Sequence, residues 1–301
     1  MSQTLSELAE EGLIETGVVL GSLTTYKLGG PARFYLELKD ENALVRIALA
    51  LGEEPVEVLI IGRGSNLVIS DAGWPGLAIR FGAEFSNIEF GADGVVSAAT
   101  AVPLPRLARE SVKQERGGLE FFVGIPGSVG GAVRMNAGGH GSETAEWLIR
   151  ARVFDLSAAE SREVTAADLD MSYRSSSLTA DQLVLSADFR TEPISRAAGE
   201  GLLREITQWR RAHQPGGTHN AGSVFRNPPG DAAGRIIDEL GLKGFRVGGA
   251  AVSKKHANFF EADPGAKAQD VYELVSEVRR RVEDKTGIAL QLELQFAGVF
   301  E

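Results

Sequence analysis

The chain is predicted to be an α+β protein with mixed sheets in two domains. Three observations carry this expectation. Its 301 residues exceed the usual span of one domain. Hydrophobic residues make up 43% and charged residues 24%, the balance of an ordinary globular core. Short aliphatic runs among glycine clusters occupy the first part of the chain, whereas helical stripes and one alternating segment occupy the last third. Glycine, at 36 residues, exceeds its ordinary share of about 7%. Proline is only 11, so the excess marks tight turns and close backbone approaches rather than a linker.

From the N-terminus, Asp40 is placed to cap a helix whose apolar face is Leu44, Ile47, Ala48 and Leu51, closed by Gly52. Val58 to Ile61 and Leu67 to Ile69 read as short strands on either side of Gly62-Arg63-Gly64-Ser65-Asn66. Trp74-Pro75-Gly76 reads as a turn before a strand from Leu77 to Phe81. A helix from about Leu104 to Arg116 ends in Gly117-Gly118, and the dense glycine region Gly124 to Gly141 reads as loops. Ala151 to Phe154 and Gln182 to Phe189 read as strands. A boundary is placed in Glu192 to Glu200. It separates an N-terminal domain over 1–195, with two α+β parts over about 1–82 and 83–195, from a C-terminal domain over 196–301. There, Leu202, Leu203, Ile206 and Trp209 form a helical stripe. Asp231 can cap a short helix carrying Ile236, Ile237 and Leu240, ended by Gly241. Val271, Leu274, Val275, Val278 and Val282 form a second face, ended by Gly287. Ile288, Leu290, Leu292, Leu294 and Phe296 alternate strictly, the pattern of a strand buried on one face.

Charge and composition exclude several functions. Lys plus Arg is 31 and Asp plus Glu is 41, a net charge of −10, which repels phosphate polymers. Neither nucleic acid nor an anionic membrane is expected as a partner. Cysteine is absent, which rules out disulfides, Cys-ligated zinc, iron–sulfur clusters and thiolate catalysis. His140, His213, His219 and His256 have no metal-ligand spacing, so no metal is expected. The first basic residue is Lys27, and no run approaches 18 apolar residues. No signal peptide and no membrane span are expected, and a cytoplasmic location is.

Chemistry concentrates in the glycine loops. Gly62-Arg63-Gly64-Ser65-Asn66 follows a strand, and its glycines allow consecutive amides to point into one concavity, a nest for phosphate. Leu67 breaks the dinucleotide fingerprint G-x-G-x-x-G, and the following segment is strand-like. Ile125-Pro126-Gly127-Ser128-Val129-Gly130-Gly131-Ala132 is a second such loop and Met135-Asn136-Ala137-Gly138-Gly139 a third. Three of them suit a large diphosphate ligand lying against backbone, such as FAD; the same residues also suit plain turns in a domain of short strands.

Beyond these loops, the chain carries an ordered series of motifs. They are Thr25-Tyr26-Lys27-Leu28-Gly29-Gly30-Pro31-Ala32, Ile61 to Leu67, Gly124 to Gly131, Tyr173-Arg174-Ser175-Ser176, Gln214-Pro215, Ala221 to Pro228, Gly241-Leu242-Lys243-Gly244 and Val252 to Phe259. In this order the series resembles the MurB family of UDP-N-acetylenolpyruvoylglucosamine reductases. The form Gly222-Ser223-Val224-Phe225 and the compact length look like the shorter subtype, which lacks an inserted Tyr-bearing loop. The resemblance implies an FAD-binding domain of the vanillyl-alcohol-oxidase/PCMH type with a smaller C-terminal α+β substrate domain. It implies FAD as cofactor, NADPH as hydride donor and UDP-N-acetylglucosamine enolpyruvate as substrate, reduced to UDP-N-acetylmuramate for peptidoglycan. Within the same fold, another FAD-dependent oxidoreductase or a non-catalytic nucleotide-sugar binding protein are the competing readings. No obligate protein partner is expected.

The resemblance also assigns residues. Arg174 matches the arginine that pairs with the substrate carboxylate, Ser223 the proton donor and Glu293 a catalytic glutamate. Without that context, Arg174 reads as a strand-end arginine, Ser223 as a turn serine and Glu293 as a solvent-facing carboxylate. The family pattern Leu-Glu-x-Glu-Val-Arg becomes Leu290-Gln291-Leu292-Glu293-Leu294-Gln295, so one Glu and the Arg are replaced. Gly62, Arg63, Gly64, Ser65, Asn66, Leu67, Ile125, Pro126, Gly127, Ser128, Gly130 and Gly131 are implied to hold FAD. Related oxidases attach FAD to a histidine in the first loop; Arg63 and Ser65 stand there instead, so attachment is expected to be non-covalent. Tyr173, Arg211 and Asn227 are implied to bind substrate, and Arg210, Arg226, Lys254 and Lys255 can add positive potential.

Overall fold

The computed structural model describes residues 3–216 and 219–301. The chain folds as two compact units. The larger comprises 1–16, 34–63 and 76–210, and the smaller 17–33, 64–75 and 211–301. This differs from a contiguous cut near 195, because two N-terminal segments build the C-terminal unit. The reasons are specific bonds within the smaller unit. Strand Leu67–Ile69 pairs in parallel with Gln295–Ala297. The buried Tyr26 hydroxyl donates to Phe260 O at 2.8 Å. Asp71 accepts from the amides of Ala268 and Gln269 at 3.0 Å each.

Eight helices occur among the described residues. They are α1 (Leu5–Glu10), α2 (Asn42–Glu53), α3 (Leu104–Lys113), α4 (Val129–Met135), α5 (Thr144–Trp147), α6 (Arg196–His213), α7 (Ala233–Glu239) and α8 (Ala268–Thr286). None is long and apolar enough to cross a membrane. Asp40 does hold the start of α2, accepting the Asn42 amide at 3.0 Å, but α2 runs through Gly52 rather than closing there. α3 stops three residues early, at Lys113, and Glu115 takes a left-handed φ of 55°. α8 ends as its pattern predicts, on Gly287 with φ 72°.

In the larger unit, one sheet has the strand order Glu15–Thr16, Ala32–Leu38, Trp74–Phe81, Val58–Ile61. Trp74-Pro75-Gly76 therefore opens a strand rather than forming a separate turn. A second, antiparallel sheet has the order Glu160–Thr165, Leu148–Asp155, Gln182–Arg190, Val95–Ala99, Ile88–Phe90. Two hydrophobic clusters match these sheets. One gathers Leu5, Phe34, Ile47, Ile79 and neighbours, the other Val96, Leu107, Phe122, Val153 and Phe189. In the smaller unit α7 and α8 bury Ile237, Leu274 and Val278 in one cluster with Phe225 and Phe260, among the described residues. Besides the parallel pair of Leu67–Ile69 with Gln295–Ala297, the unit contains the antiparallel set Arg246–Val247, Ala250–Val252, Phe260–Ala262.

The expected strand from Ile288 to Phe296 is only partly realised. Leu290 and Leu294 are buried and Gln291 and Gln295 exposed, so the alternation holds, but regular pairing is confined to Gln295–Ala297. Before it, Leu292 makes an isolated bridge to Phe225.

Candidate active site

In the larger unit a cavity of about 670 Å³, open to solvent, is lined by Gly62, Arg63, Arg80, Ser128, Gly130, Gly131 and Arg134, with apolar walls from Ile60, Ile61, Phe81 and Val184. Three arginines and no carboxylate line it, in a chain of net charge −10. The amides of Gly62, Arg63, Gly64 and Ser65 donate to no acceptor among the described residues. Gly64 has φ 60°, and a Cβ there would stand 2.4 Å from Leu23 O, so only glycine fits the turn. Unengaged amides beside a cluster of guanidinium groups are the donors a diphosphate requires, so these residues fit FAD.

The second glycine loop behaves differently from expectation. Its amides at Ile125, Val129 and Gly130 are already taken by Phe122 O, Val102 O and Thr100 O, each at 3.0 Å. Val129 and Gly130 open α4, a helix absent from the sequence reading because paired glycines weigh against one. The crossing segment at Thr100 to Val102 supplies the acceptors that a helix start lacks. A Cβ on Gly130 would meet Thr100 Oγ1 at 2.1 Å. The third loop leads into a hairpin, Gly138–Gly139 against Ser142–Glu143.

That hairpin serves Arg174. Ser172 and Ser175 exchange both backbone hydrogen bonds, at 3.1 and 3.0 Å, and hold Tyr173-Arg174 at the tip of a two-residue turn. Arg174 has φ 56°, its Nη2 donates to Gly138 O at 2.9 Å, and its guanidinium lies 4.9 Å from the Tyr173 ring centre.

In the smaller unit the structure brings Ser223 and Glu293 onto neighbouring extended segments. Val224 O accepts from the amides of Glu293 at 2.9 Å and Leu294 at 3.2 Å, and Arg226 N donates to Gln291 O at 2.8 Å. Both Ser223 and Glu293 are half-buried. On the other flank Ser223 bridges Phe259, and Asn258 clamps the segment through Phe225 N at 3.0 Å and Phe225 O at 2.8 Å. Asn66 Nδ2 donates to Glu293 O at 3.0 Å. Asn66 and the buried Leu67, both expected at the cofactor, are thus engaged with the last segment of the chain. Asn227 Oδ1 accepts the Ala233 amide at 3.1 Å and starts α7, and Arg211 is exposed on α6 with its carbonyl holding Lys255 Nζ.

A family model for the C-terminal domain of UDP-N-acetylenolpyruvoylglucosamine reductase matches residues 214–297, and a model described as an FAD binding domain matches 32–162. A UDP-N-acetylenolpyruvoylglucosamine reductase of Methylorubrum extorquens (strain PA1) is 43% identical over 281 residues, covering 93% of this chain and 90% of its own. The chain belongs to the UDP-N-acetylenolpyruvoylglucosamine reductase family, MurB. A second member, the UDP-N-acetylenolpyruvoylglucosamine reductase 2 of Symbiobacterium thermophilum, is 40% identical over 295 residues, 97% of this chain and 95% of its own. The crystal structure of MurB from Thermus caldophilus aligns with a TM-score of 0.82 at 34% identity, over 95% of this chain and 99% of that one.

In this MurB chain the two replaced family charges, Gln291 and Gln295, are exposed, while Glu293 between them is half-buried. Three residues with structural work near the site carried no role in the sequence reading: Arg134, Asn136 and Asn258. The signal for Arg134 was a single cation in the glycine-rich apolar run Val129 to Met135. Asn136 and Asn258 sat inside noted motifs, where only tertiary contacts reveal what an amide side chain holds. His140 packs edge-on to Trp209 at 5.1 Å; burial first, and then the Arg210 guanidinium, lowers its pKa.

Proposed function

We infer that this protein is a flavin-dependent oxidoreductase that reduces UDP-N-acetylglucosamine enolpyruvate to UDP-N-acetylmuramate, with FAD as cofactor and NADPH as hydride donor. Membership of the MurB family and the arginine-lined, carboxylate-free cavity beside the first glycine loop support this reading. FAD held there would supply hydride transfer, from NADPH to the terminal carbon of the enolpyruvyl group. The cavity residues Gly62, Arg63, Ser128, Gly130 and Gly131 would hold it, with Arg80 and Arg134 adding positive charge.

We assign the remaining roles to the chain's own side chains. Arg174 pairs its guanidinium fork with the substrate carboxylate and stabilises the negative charge that grows there. Ser223 Oγ delivers the proton to the carboxylate-bearing carbon. Glu293 supplies the neighbouring acid–base group; the bond from Glu293 N to Val224 O, the residue after Ser223, supports this pairing. Tyr173 backs the Arg174 guanidinium, and Arg211 and Asn227 contribute to the nucleotide-sugar. The reaction belongs to cell-wall precursor synthesis in the cytoplasm, and through it to cell shape, division and the cell cycle. The absorbance spectrum of purified protein tests the reading. The flavin band should bleach on adding NADPH and return on adding the enolpyruvyl UDP-sugar. A colourless protein that takes up no FAD, or a flavin indifferent to that sugar, rejects it.

A further inference from the structure

In the larger unit the guanidinium of one cavity-lining arginine is surrounded by main-chain acceptors. Arg134 lies on α4, whose N-terminal glycines line the cofactor cavity together with the Arg134 side chain. Its Nη1 donates to Thr179 O at 3.1 Å and Leu178 O at 3.4 Å, and its Nη2 to Gln182 O. Its own carbonyl accepts Ser176 Oγ at 2.7 Å. Asn136, fully buried at the end of α4, donates from Nδ2 to Ser172 O at 2.9 Å and accepts the Ala145 amide at 2.9 Å. These ties bracket Tyr173-Arg174 on both sides. Each of these acceptors of the Arg134 guanidinium is a main-chain carbonyl, and burial lowers its pKa against the opposing pull of the nearby, unbonded Asp181 carboxylate. Desolvating a cation without a bonded counter-charge is unfavourable, so the arrangement serves geometry rather than stability. Arg174 itself holds φ 56°, a conformation that persists only where surroundings over-determine it.

We propose that Arg134 is a positioning residue: from the wall of the cofactor cavity it fixes the segment 172–182, and so sets the turn that presents Arg174 to the substrate carboxylate. This rests on the role assigned to Arg174 above. It follows that a cofactor ordering α4 also orders the turn. Lysine cannot replace Arg134, because a point ammonium does not span three carbonyls in a fixed plane.

Hydrogen exchange read by mass spectrometry on the whole FAD-loaded protein tests the tether without turnover. In Arg134→Lys, amides of 172–182 should exchange about tenfold faster, the effect of losing one charged hydrogen bond. Ser176→Ala should shift the same peptides in the same direction by less, and peptides of α8 should not change. In stopped flow, reoxidation by the enolpyruvyl UDP-sugar should slow about tenfold more than flavin reduction by NADPH, with a raised KM for the sugar. Unchanged exchange at 172–182 in folded Arg134→Lys overturns the proposal, as does equal slowing of both half-reactions, which would make Arg134 a cofactor-pocket residue alone. If Arg134→Lys does not fold, Ser176→Ala decides by the same peptides. Should wild-type protein not turn over the sugar, the reading of Arg174 falls while the exchange data still judge the tether.

Discussion

Arg174 stands at φ 56° on the tip of a turn closed by Ser172 and Ser175, with one guanidinium nitrogen fixed on Gly138 O at 2.9 Å. A β-carbon in that region costs roughly 1–2 kcal/mol, and glycine would relieve it. Keeping arginine there marks the side chain, not the backbone, as the reason for the turn. Arg174→Lys keeps the charge and loses the fork, so substrate-driven flavin reoxidation should fall by roughly 10–100-fold, measured by single-turnover absorbance. Unchanged turnover would remove Arg174 from carboxylate binding. Ser223→Ala should separate the half-reactions. Reduction by NADPH needs no proton at the sugar carbon, whereas reoxidation should slow by ~10²–10⁴-fold without a positioned acid. Equal slowing of both would show that Ser223 shapes the pocket instead.

At the scale of elements, α4 and the clamp around Phe225 each rest on specific long-range hydrogen bonds. α4 contains two glycines and is still a helix, because Thr100 O and Val102 O accept the amides at its start. Gly130→Ala would raise helix propensity, yet its Cβ would stand 2.1 Å from Thr100 Oγ1. Steric conflict outweighs the gain, so the variant should retain less FAD through gel filtration than wild type; equal retention would show that Thr100 can move aside. Asn258 is 3% exposed and meets both the N–H and the C=O of Phe225. Asn258→Ala leaves two buried backbone groups unpaired, and should destabilise the protein by about 2–4 kcal/mol in urea unfolding. The element pattern in the sequence was legible where one face repeats, as in α8, and illegible in α4, where tertiary acceptors override local propensity.

For the whole molecule, the proposed grip on FAD is made of amides and arginines, with Arg63 and Ser65 where a covalent attachment would need histidine. Acid precipitation should therefore release the yellow colour into the supernatant, and colour left in the pellet would contradict non-covalent binding. Protonation links stability to pH through His140 and His256. Burial first, and then Arg210 for His140 and Lys243 for His256, holds both below the ordinary value. The unfolded chain, with imidazoles titrating near about 6.5, binds more protons than the native state below that pH. Their contribution is complete above about 6.5 and is lost as pH falls through the depressed native values. The melting temperature should drop between pH 7.5 and 5.5, about 6.5 being the centre of the unfolded titration. The double variant His140→Gln/His256→Gln should flatten that slope, as read by scanning calorimetry.

The sequence by itself determined the α+β class, the helical face of α8 and its stop at Gly287, and the ordered motifs that mark the family. Each of these is local: a period, a cap, or a glycine that permits one backbone conformation. Only the tertiary structure decided which segments form which unit, and that α4 exists. It also decided that Asn66 is tied to Glu293 across 227 residues of chain, and that Arg134 and Asn136 hold the Arg174 turn. These depend on partners far away in sequence. A buried amide or carbonyl takes whichever acceptor or donor the folded chain brings to it, and no local pattern encodes that choice.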